Sequence, residues 1–102
     1  MQRKVEERNG HYSLNGRVLC RTIEDEAVLL DLDSGQYYGL NTVGARIWEL
    51  LGDGHSASSI CEVVVQEFEV SEAEAAADVE AFLTALLGKG ILLAKGKARV
   101  TG

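Results

Sequence analysis

Two cysteines, two histidines and a surplus of carboxylates are the residues of this chain with chemistry to offer. Their spacing gives them no partners. Cys20 and Cys61 form no CxxC or Cys–His pattern that would hold a metal, and each reads as a small buried hydrophobe. His11 and His55 have no Asp, Cys or Ser at motif spacing, so surface or capping roles are expected. Glu62, Glu67, Glu69, Glu72, Glu74, Asp78 and Glu80 fall at exposed helix positions, where a solvated face is the simpler reading than an acid–base pair. Ser34-Gly35 is turn chemistry rather than a nucleophile elbow, because no G-x-S-x-G surrounds it. The glycines make neither a GxGxxG nor a Walker pattern. The expectation is a chain with no catalytic set, no metal site and no cofactor.

Charge narrows the ligands further. The chain of 102 residues carries a net charge of −6, and His55 to Gly88 holds neither Lys nor Arg. A helix, turn, helix and β segment in that order suggests a winged helix-turn-helix, for which nucleic acid is the first ligand to consider. Duplex affinity comes largely from Lys and Arg neutralising phosphates, and the helix that would enter the groove has none. Nucleic acid is therefore excluded. With 46% apolar and 25% charged residues the chain has the composition of one globular domain. No apolar run reaches the roughly 18 to 20 residues that span a bilayer, and MQRKVEERNGHY has no apolar signal core, so a cytoplasmic protein is expected.

The elements follow from period and punctuation. Residues 1–10 read as a mobile arm. Val18 to Thr22 has high β-propensity, and Val28, Leu30 and Leu32 alternate with Leu29, Asp31 and Asp33, which predicts a second strand whose apolar face is Val28, Leu30 and Leu32. Asp33-Ser34-Gly35 turns the chain, and Gln36 to Leu40 returns as a third strand. Gly39 within it marks a bulge or a close approach by another backbone.

Asn41 or Thr42 caps a helix with Val43, Ile47, Leu50 and Leu51 on one face and Trp48 at its edge. Gly52-Asp53-Gly54 ends it, and Ser56 caps a second helix with Ile60, Val63, Val64 and Phe68 inward. Ser71-Glu72-Ala73-Glu74 is a capping box opening a third helix, along which Ala75, Val79, Phe82, Leu83, Leu86 and Leu87 recur at helical spacing. Gly88-Lys89-Gly90 stops it before Ile91-Leu92-Leu93, and the basic tail 94–102 reads as loose.

A binding module is what remains. An edge strand offers unpaired N–H and C=O groups to an extended peptide, so a peptide can add to Gln36, Tyr37, Tyr38, Gly39 and Leu40 as a further strand. Its alternate side chains would enter a groove walled by the third helix, where Val79, Phe82, Leu83 and Leu86 offer apolar pockets and Asp78 a partner for a basic residue. The competing reading makes those four apolar residues simply core. Tyr37 and Tyr38 point to opposite faces, so one packs inward and the other is free to meet a ligand. A second class of function is a winged-helix structural or dimerising domain with no peptide ligand.

Val28-Leu29-Leu30-Asp31-Leu32-Asp33-Ser34-Gly35-Gln36-Tyr37-Tyr38-Gly39-Leu40-Asn41, followed by Gly44-Ala45-Arg46-Ile47-Trp48-Glu49-Leu50-Leu51, closely resembles the PqqD-like family. The likeness covers about residues 17–93, and Gly35, Tyr37, Leu40 and Asn41 of its G-x-Y-x-x-L-N segment are its most specific part. The resemblance implies an α+β fold, a three-stranded antiparallel sheet packed on three helices of winged helix-turn-helix type, with the domain over residues 11–93. It also implies a protein with no catalysis of its own that binds the leader segment of a ribosomally made precursor peptide along the third strand, beside the third helix. Gly10-His11 near the start of an acidic, free-standing chain resembles the leader-binding proteins of lasso-peptide clusters. There the partners would be a leader peptidase of cysteine-protease type and a cyclase. The alternative within the family is delivery of a peptide to a radical SAM enzyme in pyrroloquinoline-quinone synthesis. Exchange of a strand or terminus between chains, as in some relatives, would make a dimer in place of a monomer.

Overall fold

The computed structural model of the chain describes residues 12–94. The arm 1–10, His11 and the tail 95–102 lie outside the described residues. The element order is β1 (Tyr12–Leu14), β2 (Val18–Ile23), β3 (Glu26–Asp31), β4 (Tyr37–Leu40), α1 (Thr42–Gly52), α2 (Ala57–Phe68), α3 (Glu72–Gly88) and β5 (Leu92–Ala94). β2, β3 and β4 form an antiparallel sheet in sequence order, and β1 pairs antiparallel with β5 in a separate two-stranded sheet. This is the expected α+β architecture, three helices packed on a three-stranded antiparallel sheet, with β1 as an unsignalled addition. No described helix is long and apolar enough to cross a membrane.

Each helix begins where a side chain satisfies its exposed N–H groups. Asn41 Oδ1 accepts from the Gly44 N–H at 2.9 Å, and Ser56 Oγ accepts from the Ser59 N–H at 3.2 Å. At α3 the Glu74 N–H donates to Ser71 Oγ at 3.0 Å while the Ser71 N–H donates to Glu74 Oε1 at 3.2 Å. The core lies between the helices and one face of the sheet. Leu29, Ile47, Ile60, Val64, Val79, Ile91 and Leu92 are its fully enclosed side chains.

Two expectations are corrected. The inward face of β3 is Ala27, Leu29 and Asp31, not Val28, Leu30 and Leu32. All three leucines suit either face, so Asp31 and Asp33 set the expected direction, and Asp31 proves able to sit inward because it is used locally. It lies at the strand end, where its carboxylate accepts the Asp33 N–H at 3.0 Å in the turn. Leu32 falls beyond the strand and is exposed. Cys20 is likewise exposed rather than buried, since β2 is an edge strand that overhangs the helices; Cys61 is half-buried.

β1 is too short to carry a period. Its pairing depends on β5, far along the chain: Asn15 donates its backbone N–H to Ile91 C=O and its side-chain N–H to Gly90 C=O, both at 2.9 Å.

Candidate functional site

One hydrogen bond fixes which backbone groups the sheet leaves free. The Asp31 N–H donates to Gln36 C=O at 3.0 Å. Bonded pairs alternate along an antiparallel ladder, so Leu29 with Tyr38 and Ala27 with Leu40 are the bonded pairs of β3 and β4. The N–H and C=O of Tyr37 and Gly39 therefore point away from the sheet, toward an edge with no strand beside it among the described residues. Gly39 is not a bulge, because the register runs through it unbroken opposite Val28. A Cβ placed there would meet nothing within 4 Å. On the outer face its missing side chain leaves a shallow hollow of about 360 Å³, with Ile23 and Val28 in its wall.

The side chains of β4 divide between two faces. Tyr37 lies outward, 70% exposed, opposite Leu30. Tyr38 is half-buried on the helix side opposite Leu29, donates its hydroxyl to Gln36 Oε1 at 3.3 Å, and carries Lys89 Nζ 5.2 Å from its ring centroid. That cation–π contact is worth about 0.5–1 kcal/mol at an exposed site. Gln36 itself lies just before the strand, and Leu40 is buried at its far end.

α3 passes beside the inner side of β4. Asp78, Phe82 and Lys89 are spaced four and seven residues apart and so share a helix face. Phe82 is half-buried over the start of α1, and its Cε1 lies 3.2 Å from where a Gly44 Cβ would stand, beside Leu40. Lys89 lies over Tyr38 and Phe82 beside Leu40, so α3 runs opposite in direction to β4 along its inner side. Asp78 is exposed one turn before Phe82. Val79, Leu83 and Leu86, at 2, 5 and 3% exposure, belong to the core. Of the residues singled out from sequence, the structure sets Phe82 and Leu40 together over Gly44, while Tyr38 meets the end of α3 at Lys89. Lys89 and Gly44 were not singled out. Lys89 was seen only as part of a helix stop and Gly44 had no turn to mark it, although the seven-residue step from Phe82 could have found the lysine.

The face shared by β4 and α3 has a carboxylate at Asp78, an ammonium at Lys89, the rings of Phe82 and Tyr38 between them, and outward-facing backbone along β4. It holds no nucleophile with a base beside it. Among the described residues there is no group of three or more His, Cys, Asp or Glu able to hold a metal.

The family model of Coenzyme PQQ synthesis protein D (PqqD) matches residues 26–92. The chain belongs to the PqqD family. Two solved structures of similar chains carry the likeness further. TbiB1 in complex with the TbiA(beta) leader peptide is 36% identical, with a TM-score of 0.74, over 82% of this chain and 95% of that one. Lasso peptide synthetase B1 complexed with the leader peptide is 32% identical, with a TM-score of 0.75, over 81% of this chain and 98% of that one. No curated protein matches. The PqqD match spans β3 to the start of β5, and so includes both the free edge and α3.

Proposed function

We propose that this PqqD-family chain is a non-catalytic recognition protein of lasso-peptide biosynthesis. It captures the leader segment of a precursor peptide by strand addition along β4 and presents it to a leader peptidase of cysteine-protease type, with a cyclase acting afterwards. The observation that carries the reading is the free edge at Tyr37 and Gly39, set beside Phe82 and Lys89, in a chain similar to two proteins solved with leader peptides. Each backbone hydrogen bond made there adds about 1 kcal/mol net, and the groove supplies register. Tyr38, Leu40 and Phe82 offer apolar contact for one or two anchor side chains, with Val79, Leu83 and Leu86 holding the wall from behind. Tyr37 is free to meet the peptide or the enzyme on the outer face. Asp78 favours a basic leader residue near the Leu40 end, and Lys89 an acidic one near Tyr38.

We assign the protein to the cytoplasm, where precursor peptides are made, and assign it no reaction of its own. The second reading, delivery of a peptide to a radical SAM enzyme, draws on the family description; the likeness to the two leader-peptide complexes favours the first. Titration of the purified chain with the leader segment of a lasso-peptide precursor tests the proposal. Saturable binding with backbone amide shifts at Tyr37 and Gly39 is expected. Absence of saturable binding would sink it.

A further inference from the structure

Among the described residues β2, at the other side of the sheet from β4, is a second free edge. The Leu32 N–H donates to Arg17 C=O at 2.8 Å, so the bonded pairs of β2 and β3 are Leu19 with Leu30 and Arg21 with Val28. The N–H and C=O of Cys20 and Thr22 therefore point outward, with no hydrogen-bond partner among the described residues. Every residue of β2 after Val18 is exposed. A long exposed edge with apolar side chains is a ready template for another strand.

Beneath this edge lies a cleft of about 480 Å³, separate from the β4 groove. Cys20 and Thr22 hang over it from the strand, and the half-buried rings of Trp48 and Phe68 form its inner side. Glu24 and Asp25 of the hairpin turn stand on one rim, Glu49 and Glu67 on the other. The cation among its lining residues, Arg46, is already engaged by Glu49 and Glu67, each at 2.9 Å. An incoming Lys or Arg would find aromatic faces together with the carboxylates of Glu24 and Asp25, which have no ion pair among the described residues. On the outer face of β2 the neighbours differ: Leu19 and Ile23 are 53 and 59% exposed, with Arg21 between them. A strand added there would pair best if it alternates basic residues toward the cleft with apolar residues outward.

We propose that β2 and this cleft dock a basic, alternating, extended segment of the processing enzyme that receives the peptide. The inference rests on the leader-capture reading, since a carrier whose β4 edge is filled must meet its enzyme elsewhere. A second copy of the chain is a poor occupant: pairing β2 with β2 would bring two acidic rims of a −6 chain together.

The chain carries its own reporters. Trp48 is its single tryptophan, and Cys20 is exposed at the cleft, whereas burial raises the thiol of half-buried Cys61 and slows its alkylation. The probe is the synthetic hexapeptide Lys-Val-Lys-Val-Lys-Val, with Glu-Val-Glu-Val-Glu-Val as its charge-reversed control, added to the full chain. The basic peptide is expected to change Trp48 emission, protect Cys20 from alkylation and shift the Cys20 and Thr22 amides, while the acidic one does none of these. Thr22→Pro removes an outward N–H without touching the β3 ladder and should abolish the effect. The doubly reversed turn, Glu24→Lys with Asp25→Lys, should weaken it about tenfold from two rim charges.

The precursor leader should shift Tyr37 and Gly39, leave Trp48 unchanged and bind alongside the hexapeptide. The docking proposal is overturned if the basic peptide leaves Trp48 and Cys20 unaffected, if it competes with the leader, or if raising the chain's own concentration protects Cys20. Failure of the leader to move Tyr37 and Gly39 would instead overturn leader capture, whatever happens at Trp48.

Discussion

Phe82 and Leu83 are adjacent on α3 yet face different tasks. Leu83 is core at 5% exposure, and Leu83→Ala should cost about 2–5 kcal/mol of stability. Half-buried Phe82 walls the proposed leader site, so on that proposal Phe82→Ala should lower the melting temperature less and leader affinity more. Calorimetric melting and leader titration of both variants separate the roles. Gly44→Ala is a sharper probe. Ala favours a helix over Gly by about 1 kcal/mol, while its Cβ would meet Phe82 Cε1 at 3.2 Å and displace the ring. Stability should change little while leader binding weakens. Sequence showed Phe82 and Leu83 as one apolar stripe, because helical spacing says which residues share a face but not where that face stops being covered.

Among the elements, the three helix caps, one of them a capping box, were legible because each is a local hydrogen-bond arrangement written in a few residues. β4 was legible too, through its turn and its tyrosines. The inward face of β3 was not, since a leucine suits either side and the deciding Asp31 is satisfied by its own turn. β1 left no signal because its hydrogen bonds come from β5. α2 ends on Glu69 in the left-handed region at φ 55°, where a side chain strains the backbone. Glu69→Gly should stabilise the chain by about 1 kcal/mol, read as a higher urea midpoint at unchanged slope. If the midpoint falls, Glu69 makes a contact that outweighs the strain.

Across the whole molecule, electrostatics was the most informative sequence property, and the structure gives it detail. Arg46 of α1 grips Glu67 at the end of α2 with two bonds of 2.9 Å and reaches Glu49 as well. The guanidinium holds the Glu67 carboxyl below its ordinary value. A depressed folded-state value means that the pair's contribution is present above the unfolded carboxylate range, about pH 4.3, and is lost as the pH falls below it. Glu67→Gln should therefore lower stability modestly at neutral pH, flatten the acid limb of a stability–pH profile and leave stability at low pH unchanged. An unchanged acid limb would show that the pair is screened by solvent. The free edges of the sheet were only half legible: sequence indicated that a strand could add at β4, but the phase of the ladder, which decides that Tyr37 and Gly39 offer their backbone, comes from one hydrogen bond between Asp31 and Gln36.

That phase allows the most direct measurement of leader capture by strand addition. Gly39→Pro deletes an N–H that faces away from β3, a position where an edge strand tolerates proline, whereas Gly39→Ala keeps the N–H. Calorimetric titration with the precursor leader should show the Ala variant binding like the unaltered chain. The Pro variant should bind about tenfold or more weakly, as expected for a lost hydrogen bond that leaves a partner carbonyl unpaired, with its melting temperature nearly unchanged. Equal affinity for the Pro and Ala variants would contradict strand addition at β4.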